Sequence, residues 1–241
     1  MALERADRDP GIALLRLDRP ERRNALDTST LHDLVGALEE LASDDELRAL
    51  ILSTTSTQAF CAGADVTEVL TPEGGIERME AFARLYAAWE GFPAPTICVC
   101  VGDVLGAGAE LAAGADLRVG ADPLKLGWVG TRLGVPVGVA RLVPLVGLGR
   151  AKELLLTGRV LDAAQAAALG LLHRVAASPA AAEDEALELA SEIAAHPAAG
   201  TRQAKRLLRE FEGTAERVAR ENEILERWQR EGPGLPHRRP E

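Results

Sequence analysis

Apolar positions along the chain follow two periods. Residues 12–17, 49–53 and 96–101 are short, mostly apolar runs that read as strands, the latter two as buried ones. Between the first two, Leu31, Leu34, Val35, Leu38 and Leu41 recur every three or four positions. That spacing predicts an amphipathic helix over 28–43, with Asp27 or Thr28 as its cap. Further helices are expected over 76–92 and from about Ala107 to about Gly114, followed by a strand at 117–119. Strands thus alternate with helices, and the crossovers are long enough for parallel pairing, which argues for an α/β core.

From about Pro136 onward the pattern is mostly helical. Helices are expected at 149–156, 162–169, 179–195, 200–212 and 214–230, with Gly158, Gly170 and Pro197 as punctuation and one strand at 173–175. The expected organisation is an α/β core over 1–175, a helical C-terminal region over 176–231 and, by composition, a flexible tail over 232–241. The helical region is expected to fold back on the core or pack on another subunit. There is no internal repeat and no linker long enough to demand independent domains.

Composition narrows the class. At 47% hydrophobic and 27% charged, the 241 residues are those of an ordinary globular protein. No apolar stretch reaches the length of a membrane span, and the start of the chain is acidic and lacks a signal-peptide core, so a cytoplasmic location is expected. Cys98 and Cys100 lie two apart in one predicted strand and therefore point the same way into the core; with Cys61 they make an odd count, and disulfides are not expected. The four histidines are scattered without ligand spacing, so no metal site is expected. A net charge of −10 disfavours nucleic acid and anionic membranes as partners. A small anion remains allowed where positive charge is local. Arg16, Arg19, Arg22 and Arg23 supply such a place, as either a solvated, internally paired loop or a phosphate-binding lip.

The chemistry is carried by two small-residue turns, Phe60-Cys61-Ala62-Gly63-Ala64-Asp65 and Leu105-Gly106-Ala107-Gly108-Ala109-Glu110, each after a predicted strand. Small side chains let a ligand approach the backbone, and two converging N–H groups can hold the oxyanion of an activated carbonyl compound such as a thioester. If Ala107 opens a helix, its N–H is unpaired and sits at the positive end of the helix dipole. Glu110, one turn on, shares that face and suits proton transfer; the plainer alternative is that it only complements the dipole. A dinucleotide fingerprint is not met, because Gly106-Ala107-Gly108 is followed by Ala109-Glu110-Leu111 without the third glycine.

Taken together these segments resemble the crotonase superfamily, the enoyl-CoA hydratase/isomerase family. Residues 19–26 are similar to its CoA-binding loop, residues 60–65 to its first oxyanion turn, and Gly102 with residues 105–112 to its second. Ala115-Asp116-Leu117-Arg118, Leu155-Leu156-Thr157-Gly158 and residues 163–175 fit later landmarks, so the resemblance covers nearly the whole chain. It implies a spiral of β-β-α turns with a helical C-terminal region, forming a homotrimer or a dimer of trimers. It also implies an oxyanion hole from the Ala64 and Ala107 N–H groups and Glu110 as the catalytic acid/base. Ala62, Asp65, Val66 and Gly106 would lie along the acyl and pantetheine path, with Arg23 and Ala25 near the CoA nucleotide. CoA enters as part of the substrate, and no permanently bound cofactor is implied.

The chain departs from the family pattern in one place. Family hydratases carry a second glutamate after the strand that follows the oxyanion helix, and here Gly130 falls at that position. No carboxylate occurs between Asp122 and Glu153, and the following loop is short. Two-carboxylate hydration is therefore not expected. What remains is an acyl-CoA lyase or isomerase working through a thioester enolate with one glutamate. The alternative is a non-catalytic CoA-thioester-binding or assembly subunit. Trp128 is expected in the core, and Arg132 and Arg141 at the surface.

Overall fold

The computed structural model describes residues 2–8 and 11–238. Strands β1 (Leu3–Arg8) and β2 (Ile12–Leu17) pair antiparallel, and every later pairing of the seven-stranded sheet is parallel. Helix α1 (Thr28–Ala42) starts at Asp27, whose carboxylate accepts the Thr30 N–H at 2.8 Å. The α1 residues Leu31, Leu34, Val35, Leu38 and Leu41 are buried as their spacing predicts. Then follow β3 (Ala49–Thr54), the three-residue β4 (Ala59–Cys61), and α2 (Pro72–Glu90). The last of these begins four residues earlier than expected, because Thr71 caps it and Pro72 is suited to a first turn that needs no N–H.

Strand β5 (Thr96–Leu105) is the axis of the site. Its first half pairs with β3, Leu50–Leu52 against Thr96–Cys98, and its second half pairs with β4, from Gly102 to Val104. Strands β3 and β4 thus lie end to end along one neighbour, and β4 and β5 finish side by side. Helix α3 (Ala107–Gly114) follows β5 over the span its sequence predicts. Strand β6 (Leu117–Gly127) runs much further than the expected 117–119, shifting register between Ala121 and Leu124 and then continuing beside β5 to Gly127.

The sheet is covered on both faces, which explains its apolar strands. Ile12, Leu14, Ile51, Val99 and Val119 meet Ala182, Ala186, Ala190 and Ala194 of α6 (Ala182–Ala194), whose alanines every fourth position let the helix lie close. The other face holds the larger core with α1, α2 and α3, including Cys98 and Cys100, which are free thiols. Helix α4 (Val139–Thr157) is bent at Gly147; then come α5 (Ala163–Ala168), β7 (Arg174–Val175), α7 (Ala198–Glu212) and α8 (Thr214–Glu231). The stretch beyond α8, expected as a flexible tail, is tied down as far as Arg238. Leu235 is buried, the buried Arg78 guanidinium donates to the carbonyls of Leu235 and Pro236, and the Arg238 N–H donates to the Glu68 carbonyl. The rest of that tail, 239–241, lies outside the described residues.

Candidate active site

Because β4 and β5 end together, the turns at 62–65 and 105–107 leave the sheet at one edge. Hydrogen bonds from outside hold both: Gly63 O accepts the Leu26 N–H at 2.8 Å, and the Gly106 N–H donates to Gly127 O at 2.9 Å. Gly63 has φ +106° and Gly106 φ +53°, conformations that a side chain would strain. The turns also abut, since a Cβ on Gly63 would stand 3.0 Å from Leu105 O and 3.7 Å from Ala107 N. Neither the Ala64 N–H nor the Ala107 N–H finds an acceptor among the described residues. Ala107 is the first residue of α3, so its free N–H also carries the partial positive charge of the helix end.

Both turns face one cavity of about 80 Å³. Ala62, Gly63, Ala64, Gly106 and Ala107 form one wall; Met79, Phe82, Tyr86, Val129, Gly130, Leu133, Val135, Val137, Leu225 and Leu235 form the rest. Tyr86 brings the one side-chain hydroxyl of that lining, and burial pushes its phenol well above the ordinary value, so it remains neutral. Two backbone donors at an apolar pocket are the equipment for holding a carbonyl oxygen that gains charge.

Glu110 lies one turn behind Ala107, fully buried and outside the cavity lining. The Trp128 indole N–H donates to its Oε1 at 2.6 Å, and Arg141 Nη1 donates to its Oε2 at 2.9 Å. Burial raises the Glu110 pKa to about 7, against the opposing pull of Arg141 and with added repulsion from Glu221. A carboxyl so placed can hold or release a proton near neutrality.

The remaining expected residues lie around the first turn. The loop 23–26 is stitched to it by Ala62 N–H to Arg23 O, Leu26 N–H to Gly63 O, and Asp65 N–H to Leu26 O, which places Arg23 and Ala25 beside the site. Val66 is exposed, whereas Asp65 is buried, with one oxygen accepting the Thr67 N–H and hydroxyl. Burial opposes ionisation of Asp65, but the Thr67 bonds and Arg19 outweigh it and hold the carboxyl below its usual range. Of the four loop arginines, three are committed within the chain. Arg16 pairs with Glu183 and Glu4, Arg19 with Asp27 and Asp65, and Arg23 with Asp103 at 2.9 Å. Arg22 makes one side-chain hydrogen bond among the described residues, to the Thr67 hydroxyl, and its charge also acts on Asp65.

The structure corrects one expectation and extends another. Arg141, expected at the surface, is buried and also meets Glu90 at 3.2 Å, Glu221 at 3.6 Å and the Tyr86 ring at 4.7 Å. It is the sole charged residue from 133 to 149, and a lone cation in an apolar run needs buried carboxylates; that is the signal by which it could have been found. Trp128 is in the core as expected, and there it also binds Glu110. Glu221 of α8 carried no comparable signal. At Gly130 the loop has closed, for a Cβ there would stand 2.8 Å from Val137 Cγ1 and 2.9 Å from Val135 O.

A parallel-strand α/β spiral whose paired strand ends open on an apolar pocket defines the crotonase class of fold. A model described as enoyl-CoA hydratase/isomerase matches residues 7–227, and the chain belongs to that family. A Mycobacterium tuberculosis protein named "Probable enoyl-CoA hydratase echA8" is 35% identical over 176 residues, 70% of this chain and 66% of the relative. The mitochondrial enoyl-CoA hydratase domain-containing protein 2 of Bos taurus is 39% identical over 175 residues, 69% of this chain and 58% of the relative. The match thus spans less than two thirds of either relative's length. Among solved structures, an enoyl-CoA hydratase from Bacillus anthracis superposes with TM-score 0.83 at 29% identity, covering 93% of this chain and 91% of the other. An enoyl-CoA hydratase/isomerase from Xanthobacter autotrophicus Py2 superposes with TM-score 0.86 at 26% identity, covering 98% and 89%.

Proposed function

We propose that the chain is an acyl-CoA thioester lyase or isomerase that works through a thioester enolate. The observation that carries this reading is the pair of unpartnered N–H groups, Ala64 and Ala107, on adjoining turns at one apolar pocket. The thioester oxygen accepts from both. Glu110, in the ionised form that a pKa of about 7 leaves populated near neutrality, takes a proton from the carbon next to the thioester; the C–H electron pair moves into the carbon–carbon bond and the carbonyl pair onto oxygen, giving the enolate. Returning the proton, to that carbon or to a conjugated one, completes an isomerisation. Glu110 is buried outside the cavity lining; Oε2 is held by a cation and Oε1 by the neutral Trp128 indole, so Oε1 reaches the substrate when that indole gives way.

The CoA phosphates lie outside the pocket, near the 19–26 loop, where Arg22 is the arginine least committed to the chain. No permanently bound cofactor enters the scheme. With Gly130 enclosed by Val135 and Val137, no second carboxylate activates water. A panel of enoyl- and 3-hydroxyacyl-CoA thioesters tests the proposal. Turnover of at least one is expected; binding of all with turnover of none would replace it by a CoA-thioester-binding subunit.

A further inference from the structure

Behind the pocket the fold gathers three carboxylates around one guanidinium. Arg141 of α4 donates to Glu110 of α3, donates to Glu90 of α2, and lies 3.6 Å from Glu221 of α8. The other titratable groups there are Tyr86 of α2 and Cys61 of β4, both neutral, since burial pushes the phenol well above its ordinary value and the thiol up to about 12. Glu90 also bonds Arg141 but has further cations in Lys205 and Arg209, whereas Arg141 is the one cation paired with Glu110 and with Glu221 among the described residues. Glu221 is anchored: its Oε1 accepts the N–H groups of Gly138, Val139 and Ala140 at 3.1, 2.7 and 3.1 Å, at the start of α4. Its Oε2 has no hydrogen-bond partner among the described residues. One cation between two buried carboxylates leaves a surplus negative charge, which a single proton removes.

We propose that Glu221 is a positioning residue for Glu110: by sharing Arg141 with it, Glu221 keeps the proton on Glu110 and ties that store to the docking of α8. The inference rests on the proposed function only in that Glu110 is the proton carrier. Glu221 is held by three backbone donors and the helix end, an arrangement suited to an anion, while Glu110 has one neutral and one charged donor. Burial, with repulsion from Glu221 added to it, raises the affinity of Glu110 for a proton. Removing the Glu221 charge frees Arg141 to favour ionised Glu110, so the midpoint of Glu110 titration falls.

The test is Glu221→Gln, which keeps the acceptor for the three N–H groups while deleting the charge. The Glu110 carboxyl is titrated by carbon-13 NMR in the ligand-free protein, assigned through Glu110→Gln, beside the pH profile of proton exchange into an acyl-CoA thioester. We expect both midpoints to fall by about one unit. Glu90→Gln, which acts on a carboxylate with cations of its own, moves them less. An unchanged NMR midpoint in a folded Glu221→Gln protein overturns the inference, as does a larger shift from Glu90→Gln. A shifted NMR midpoint without exchange in the wild type supports the inference while removing the enolate reading.

Discussion

Gly130 shows at the scale of one residue why a missing group is not simply a missing side chain. Its Cβ space is taken by Val137 and the Val135 carbonyl, and the Val135 N–H closes the turn onto Gly130 O at 2.9 Å. Gly130→Glu is therefore expected to gain no water addition to enoyl-CoA thioesters and to lose about 1–3 kcal/mol of stability by overpacking, read as a lower Tm. Appearance of hydratase activity would show that the loop opens for a carboxylate. Single residues also mark the limit of sequence reasoning. The unpaired Ala107 N–H was legible because the residue opens a helix, whereas Ala64 was reached only through the family resemblance. The Glu110–Arg141 pair joins positions 31 apart on different helices, and no local period reports such a partner.

Elements explain how the two donors meet. Their meeting depends on β4 and β3 sharing β5 end to end, and β4 has only three residues, too few for a period to emerge. Helix α3, by contrast, follows the span its sequence predicts. Strand β1 is exposed and polar, and the second half of β6 follows an Asp122-Pro123 interruption that reads as a turn; both are made strands by their neighbours. Close packing of α3 on β4 should be felt in catalysis. A Cβ on Gly108 would fall 2.2 Å from Cys61 O, so Gly108→Ala must push α3 away and carry the Ala107 N–H with it. We expect turnover to fall by about 100-fold or more, as on loss of an oxyanion donor, together with a lower Tm. Wild-type turnover would mean the Ala107 N–H is not used.

For the whole molecule, the parallel α/β core, its buried strands and the helical C-terminal half were foreseeable, because each follows from runs and periods long enough to count. The anchoring of the chain end was not, since Gly232-Pro233-Gly234 has a loop's composition and its partners lie on α2 and the segment before it. Helix α7 leaves Leu207, Leu208 and Phe211 exposed along one side. That apolar stripe is a surface suited to a partner; the resemblance implies a homotrimer or a dimer of trimers, for which light scattering should give three or six times the 25.6 kDa chain mass. A monomer at micromolar concentration would contradict it.

The central claim is that the two turns and Glu110 together make an enolate, and solvent exchange reads that step whatever product follows. Acyl-CoA thioesters incubated in deuterium oxide should take up deuterium at the carbon next to the thioester with the wild-type protein, and about 100-fold or more slowly with Glu110→Gln. Equal uptake by the two proteins, or none with the wild type on thioesters it binds, would contradict the account.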